Sequence, residues 1–371
     1  MLFMMNVFIA MLLSGIAFSQ EITPTKKMVK DVLFSDDLEF AEMETAIDRQ
    51  LRLYDRPGNL RGTIRFGNDT YNKMVLRETL LELKGLAGEY KTCLTVAQKE
   101  FCDNELNQKL NTNFTTYIPV VKSSPKTRFT AYYSPDLRGS RIPTERFSRP
   151  IYAQPNGALA RAFTRVQIDH EGKLAGRGLE LFWVENSFFD LYLLHVQGGG
   201  RIILENSDGT TDLRYLSMTG ANGKKCEFIG KHISRMGWLP KSEALQVSRQ
   251  RDFLKENPDK VREAFRFCQN YIYFRESTEE PVGRSNIPLT SGRSVAVDYT
   301  LYPSTGLVTF VKVKQPDGNK ISRFFLAQDT GSKIRGRARS DLYMGYGPEA
   351  ERTAYSLNAD GEQYFLVRRS R

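Results

Sequence analysis

Three aspartates near the carboxyl end of the chain are the residues best placed to do chemistry. Asp298 follows the apolar run Ser294-Val295-Ala296-Val297. Asp329 follows Phe324-Phe325-Leu326-Ala327-Gln328 and precedes Thr330-Gly331. Asp341 opens the stretch DLYMGYGPEA after a basic run. A carboxyl at the end of an apolar strand is half desolvated, and a glycine beside it lets a ligand approach the backbone. Desolvation raises a carboxyl pKa above its usual value of about 4, as a general acid near neutral pH requires. Each aspartate could equally cap a turn. Lys333, Arg335, Arg337 and Arg339 lie between Asp329 and Asp341. Cations facing these carboxyls would lower their pKa; otherwise the run is a solvated basic surface or a clamp for an anionic polymer.

The elements that must position these residues are mostly strands. Phe40, Met43, Ile47 and Leu51 fall on one face of a helix over 36–54, and Leu76, Leu80, Leu83 and Ala87 repeat the pattern. Residues 103–125 are polar, then strand-like. From Arg128 the texture changes to short alternating strands and many glycines. Asp208-Gly209 and Asp317-Gly318 mark hairpin turns. Residues 242–255 read as helical, and Pro258 opens a further helix with Asn257 as its cap. The stretch 285–371 reads as strands and Gly-rich loops. The expectation is a mainly β chain with peripheral helices, consistent with barrels.

The chain has 371 residues, 40% apolar and 26% charged, which excludes a disordered, collagen-like or polytopic membrane protein. Lys and Arg number 53 against 43 Asp and Glu, a net charge of +10 that suits either solubility or an anionic polymer. The apolar run 7–18, with Ala17-Phe18-Ser19 after it, reads as a signal peptide over 1–19. No cysteine follows that run, so no lipid anchor is expected there. Cys93 and Cys102 lie close enough for a local bridge, Cys226 and Cys268 could be buried thiols, and the pairing of the four stays open. His170, His195 and His232 are scattered and no CxxC occurs, so neither a metal site nor an organic cofactor is expected.

Several blocks in order carry a resemblance. They are FTAYYSPDLRGS (129–140), RPIYAQP (149–155), HVQGGGRI (195–202) and TGANGKKCEFIGKHISRMGWL (219–239), then RSVAVDYTLYP (293–303), AQDTGSKIRG (327–336) and DLYMGYGPEA (341–350). Together they resemble the MltA family of peptidoglycan-cleaving lytic transglycosylases, with a carboxy-terminal three-aspartate (3D) domain. The resemblance implies a double-psi β-barrel built from 20–134 and 243–371, a second, barrel-like β-domain inserted at 135–242, and a glycan groove between them. It implies cleavage of the β-1,4 bond between N-acetylmuramic acid and N-acetylglucosamine without water, leaving a 1,6-anhydro end. The single acid and base would be Asp341, with Asp329 its partner in the cleft and Asp298 a third acidic or structural member. Thr130, Tyr132, Gln197, Gly198, Gly200, Gly331 and Tyr343 would contact the sugar. The implied partner is the glycan strand of peptidoglycan, in the periplasm or cell envelope, with peripheral association with the outer membrane; nucleic acid is not expected. Lys333 stands where the family has a small residue. A weak peptidoglycan-binding protein of the same fold and a hydrolytic glycosidase are the alternatives.

Overall fold

Stretches such as Ser294–Val297 and Lys320–Asp329 combine branched and aromatic residues that are buried on both faces, and they form strands of a closed barrel. The computed structural model describes residues 21–28, 30–120, 126–277, 279–280, 282–331 and 333–369; the expected signal peptide lies outside them. Around the barrel the order is Leu307–Lys314, Lys320–Asp329, Ser294–Val297, Arg339–Tyr346, Lys126–Ser134 and Asn358–Arg368, which pairs back onto Leu307–Lys314. Two of these pairings are parallel, Ser294–Val297 with Lys320–Asp329 and Arg339–Tyr346 with Lys126–Ser134; the others are antiparallel. This is the expected double-psi β-barrel. One of its strands precedes the insertion and five follow it. Asp317-Gly318 makes the expected hairpin turn between Leu307–Lys314 and Lys320–Asp329.

Helices Met43–Tyr54 and Met74–Val96 pack on the barrel, contributing Ile47, Leu80 and Leu83 to a core shared with Val308, Phe310 and Phe324. The first helix starts at Met43, not at 36. The Asp36 carboxylate accepts from the N–H groups of Leu38 and Phe40 and takes both ends of the Arg293 guanidinium. Glu39, Phe40 and Glu42 then have positive φ, which no helix tolerates. The polar stretch after 99 is a helix, Lys99–Asn113, which buries only Cys102, Leu106 and Leu110. A disulfide from Cys93 to Cys102 ties it to the preceding helix, as expected.

The second sheet has the order Ile272–Ser277, Thr211–Ala221, Gly199–Glu205, Asp136–Ser140, Glu180–Glu185 and Phe147–Tyr152, and an Ala153–Phe274 bridge brings its two edges together. Asp208-Gly209 turns between Gly199–Glu205 and Thr211–Ala221. The expected end of the insertion at 242 falls too early for this sheet. Helices Val247–Glu256 and Pro258–Phe265 share a core with Phe189 and Tyr192, and the edge strand ends at Ser277. Asn257 stands at the expected cap position of the helix that Pro258 opens but makes no side-chain bond to it; its amide donates back to the Phe253 carbonyl, closing the helix before it. Cys226 and Cys268 are not free thiols but a second disulfide, closing a loop across this unit.

Candidate active site

Asp341 lies on the strand Arg339–Tyr346, opposite Thr130 across the parallel pairing. Alternate side chains of a strand share a face. Asp341 and Tyr343 therefore stand with Thr130, Tyr132 and Ser134. The Thr130 hydroxyl donates to Asp341 Oδ1 at 2.5 Å and accepts from the Arg339 guanidinium at 2.7 Å. Ala296 is in register with both Asp341 and Asp329, so the two carboxyls flank one short strand. The Tyr132 hydroxyl donates to Asp329 Oδ2 at 2.6 Å.

Both carboxyls hold their protons more tightly than a free aspartate. Burial raises that of Asp341, and the Thr130 hydrogen bond and the Arg339 charge only partly oppose it. Burial pushes Asp329 up to about 6; the bonds from Tyr132 and from the Thr330 and Arg284 N–H groups pull down, and the neighbouring Asp341 charge pushes up. The two ionise as a pair, and the second proton leaves at the higher pH. Burial and the Asp329 charge hold the Tyr132 phenol far above its ordinary range, so it stays a donor.

Asp298 is not a third member of this pair. It is buried, and burial alone would raise it, but the Gly336 N–H, the Thr300 hydroxyl and N–H, and the Arg335 guanidinium together hold it below the usual carboxylate range. Its Oδ2 accepts from Gly336 at 2.8 Å and its Oδ1 from Thr300 at 2.7 Å. It is an anchor for the loop after Asp329, not an acid. The basic run therefore does not depress the catalytic pair as a whole. Arg335 acts on Asp298, and only Arg339 pulls on Asp341.

The expected sugar contacts divide. Thr130 and Tyr132 are half-buried on the carboxyl face, in direct contact with the two acids. Tyr343 is fully buried; its ring lies 5.1 Å from that of Tyr132 and its hydroxyl is 3.0 Å from that of Ser134, so it supports Tyr132 from beneath. Gly331 accepts from the Ile334 N–H at 3.0 Å and starts the turn that returns the loop to Asp298. Gln197 ends the helix Phe188–Gln197, and Gly198 takes φ 76 to leave it. Gly200 serves packing, not ligand approach. A Cβ there would come within 2.7 Å of both the Pro135 carbonyl and a Leu194 methyl. This segment is the seam between the two sheets: the Arg201 N–H donates to Pro135, and the Arg201 guanidinium lies 4.0 Å over the ring of Tyr346.

Two further features escape a reading of the sequence. One is the Arg339–Thr130–Asp341 relay, whose members are brought together only by strand pairing. The other is the 282–288 loop, whose Gly283 sits where a Cβ would meet the Gln328 carbonyl at 2.6 Å and Asp329 Cβ at 3.2 Å. Among the described residues no group of histidine, cysteine and carboxylate side chains could hold a metal ion. Two surface hollows, of about 540 Å³ near Arg149 and about 790 Å³ near Arg352, are not lined by Asp329 or Asp341.

Comparison with known proteins places these features in context. Residues 128–275 match the MltA specific insert domain and residues 293–367 the 3D domain. A membrane-bound lytic murein transglycosylase A homolog of Buchnera aphidicola is 23% identical over 247 residues, which are 64% of this chain. The chain spans 66% of that relative, just under two thirds. The crystal structure of a membrane-bound lytic murein transglycosylase from Agrobacterium tumefaciens superposes with a TM-score of 0.66 at 27% identity, covering 89% of this chain and 93% of that one. That of E. coli MltA with bound chitohexaose gives a TM-score of 0.72 at 21% identity, covering 94% and 95%, a likeness of fold.

Proposed function

The chain belongs to the MltA family, and from that premise we propose that it is a peptidoglycan lytic transglycosylase. The observation that carries the reading is the raised Asp341 carboxyl, held by Thr130 beside Asp329. Thr130 donates to Oδ1, which leaves Oδ2 to carry the acid proton. Asp341 gives that proton to the glycosidic oxygen as its bond to the muramyl C1 breaks, and N-acetylglucosamine leaves as the alcohol. The muramyl C6 oxygen closes on C1, and its proton passes to the Asp341 carboxylate. The enzyme returns to its starting state and no water is consumed. A glycosidase needs two carboxyls to handle leaving group and water; here the nucleophile belongs to the substrate, and orientation supplies much of the rate. Asp329, once ionised, opposes loss of the Asp341 proton and stands by the positive charge that develops at C1.

The glycan strand lies between the barrel and the inserted unit, along the face that runs from Asp341 through Tyr132 toward Arg201. On this reading the inserted domain is 135–277. The chain works in the cell envelope, and two disulfides support an oxidising compartment. Among the described residues no helix is long and apolar enough to cross a membrane. Peripheral association with the outer membrane is part of the same proposal.

Digestion of purified peptidoglycan, followed by mass spectrometry, tests the reaction. Anhydro ends, lighter by one water than reducing ends, are expected; reducing ends would make the protein a hydrolase. Asp341→Asn keeps the size of the side chain but not the acid proton, and is expected to slow cleavage at least about 100-fold without loss of fold. Wild-type turnover in that variant would reject Asp341 as the acid.

A further inference from the structure

The loop after Asp329 puts Lys333, Arg335 and Arg337 at alternate positions, all three exposed. Asp298 fastens this loop, taking the Gly336 N–H and lying 3.6 Å from the Arg335 guanidinium. From the other side comes the 282–288 loop, in which Ser285 and Asn286 take φ of 63° and 57° and Gly283 packs against Asp329. The two loops converge on Tyr299. The guanidinium groups of Arg284 and Arg335 lie 5.2 and 5.3 Å from its ring centre. The ring is 41% exposed. Asp298 is the carboxylate against this cluster, and it is buried with both oxygens already bonded. The cluster thus presents an excess of positive charge to solvent, within one residue of the Arg284 N–H that bonds Asp329.

A guanidinium over an aromatic face can turn edge donors toward a carboxylate; Arg335 spends Nη1 on the Gly331 and Ile334 carbonyls, which leaves Nη2 for that contact. A neutral glycan offers such a cluster nothing. A muramyl strand offers carboxylates beside every second sugar, on the lactyl ether or on the peptide attached to it. Resting on the reading of this site as one that cleaves a muramyl glycan, we propose that Arg284, Arg335 and Lys333 around Tyr299 form a subsite for a carboxylate-bearing substituent of the strand. The subsite holds the substituent next to the bond that is cut. Lys333, exposed on the same loop, adds a cation with no partner among the described residues' hydrogen bonds and ion pairs.

The test is calorimetric titration of full-length Asp341→Asn protein, which binds without turnover. The probes are chitohexaose, peptide-free glycan from amidase digestion, and peptide-bearing strands. The anionic strands are expected to bind about tenfold more tightly than chitohexaose at low salt. That advantage should disappear in about 0.5 M salt. Retention of the advantage by peptide-free glycan identifies the lactyl carboxylate as the ligand; its restriction to peptide-bearing strands identifies the peptide. Adding Lys333→Gln and Arg284→Gln, in variants whose Tm matches that of the parent, should remove most of the advantage. Equal affinity for neutral and anionic strands, or an advantage indifferent to salt and to both substitutions, overturns the subsite and leaves the cleavage reading intact. Failure of all three glycans to bind overturns the cleavage reading itself.

Discussion

Asp341 works as an acid only while it holds its proton, and two neighbours pull on that proton in opposite directions. The Asp341 charge raises Asp329, and the repulsion is mutual, so the Asp329 charge opposes ionisation of Asp341, whereas the Thr130 hydroxyl favours the ionised form. Cleavage is therefore expected to decline as pH rises through the raised range in which the Asp341 carboxyl ionises. Asp329→Asn removes a neighbouring negative charge, so Asp341 should ionise more readily and the falling limb of kcat/KM should move to lower pH. Thr130→Val removes a bond to the carboxylate, so the limb should move to higher pH. Rate profiles of the two variants that shift in the same direction would refute this account of the pair. Stability carries the same sign. Asp329 is raised above its unfolded value of about 4, so its ionisation weakens the fold as pH rises from about 4 to about 6. Asp329→Asn should then raise Tm at pH 7.5 and leave it nearly unchanged at pH 4, as differential scanning calorimetry would show. The three aspartates were legible from their place at the ends of apolar runs. Their different roles were not. Asp298 is set apart by an N–H that arrives from Gly336, and no local pattern announces that encounter.

At the scale of elements, the barrel depends on a segment that contributes no strand to it. Asp36 and Arg293 are fully buried, and the carboxylate also accepts from the Phe324 N–H, so one ion pair joins the amino-terminal turn to two barrel strands. Breaking a buried pair from one side leaves a charge without a partner. Asp36→Ala is expected to destabilise the fold by about 3–5 kcal/mol, read from urea unfolding. A loss below about 1 kcal/mol would mean that water reaches Arg293. The helix Met74–Val96 was legible from its spacing of leucines, whereas Lys99–Asn113 was not. Its buried stripe is three residues wide and its polar face dominates the sequence; the disulfide, not amphipathicity, fixes it. Glycine told less than expected about ligands. Gly200 and Gly283 are required because backbone and side chains crowd them, a cause that sequence alone does not separate from ligand approach.

At the scale of the molecule, the two sheets are tied together by the seam at Pro135, Arg201 and Tyr346, and the inserted unit is closed on itself by the Cys226–Cys268 bond. The bridge spans a sequence separation of 42 residues, and loop-closure entropy assigns it about 4 kcal/mol of stabilisation. Cys226→Ser with Cys268→Ser is expected to lower Tm by several degrees, with the loss confined to the inserted unit in hydrogen exchange. Uniform loss across both units would show that they unfold as one. The bond was not legible because these cysteines stand in unrelated local contexts and only the chain path through four helices brings them together. The boundary of the insertion was misplaced for a related reason. Strand Ile272–Ser277 is plain as a strand, but its membership is decided by pairing with Thr211–Ala221.

The barrel's lone early strand has one more consequence. Lys126–Ser134 has no sheet to join until Arg339–Tyr346 and Asn358–Arg368 exist, and Thr130 meets its aspartate across 211 residues. Closing so long a loop is slow. A polypeptide made from its amino end thus carries an unpaired edge through most of its synthesis. On the proposed reading, the acid site is complete only once Arg339–Tyr346 has paired with that early strand.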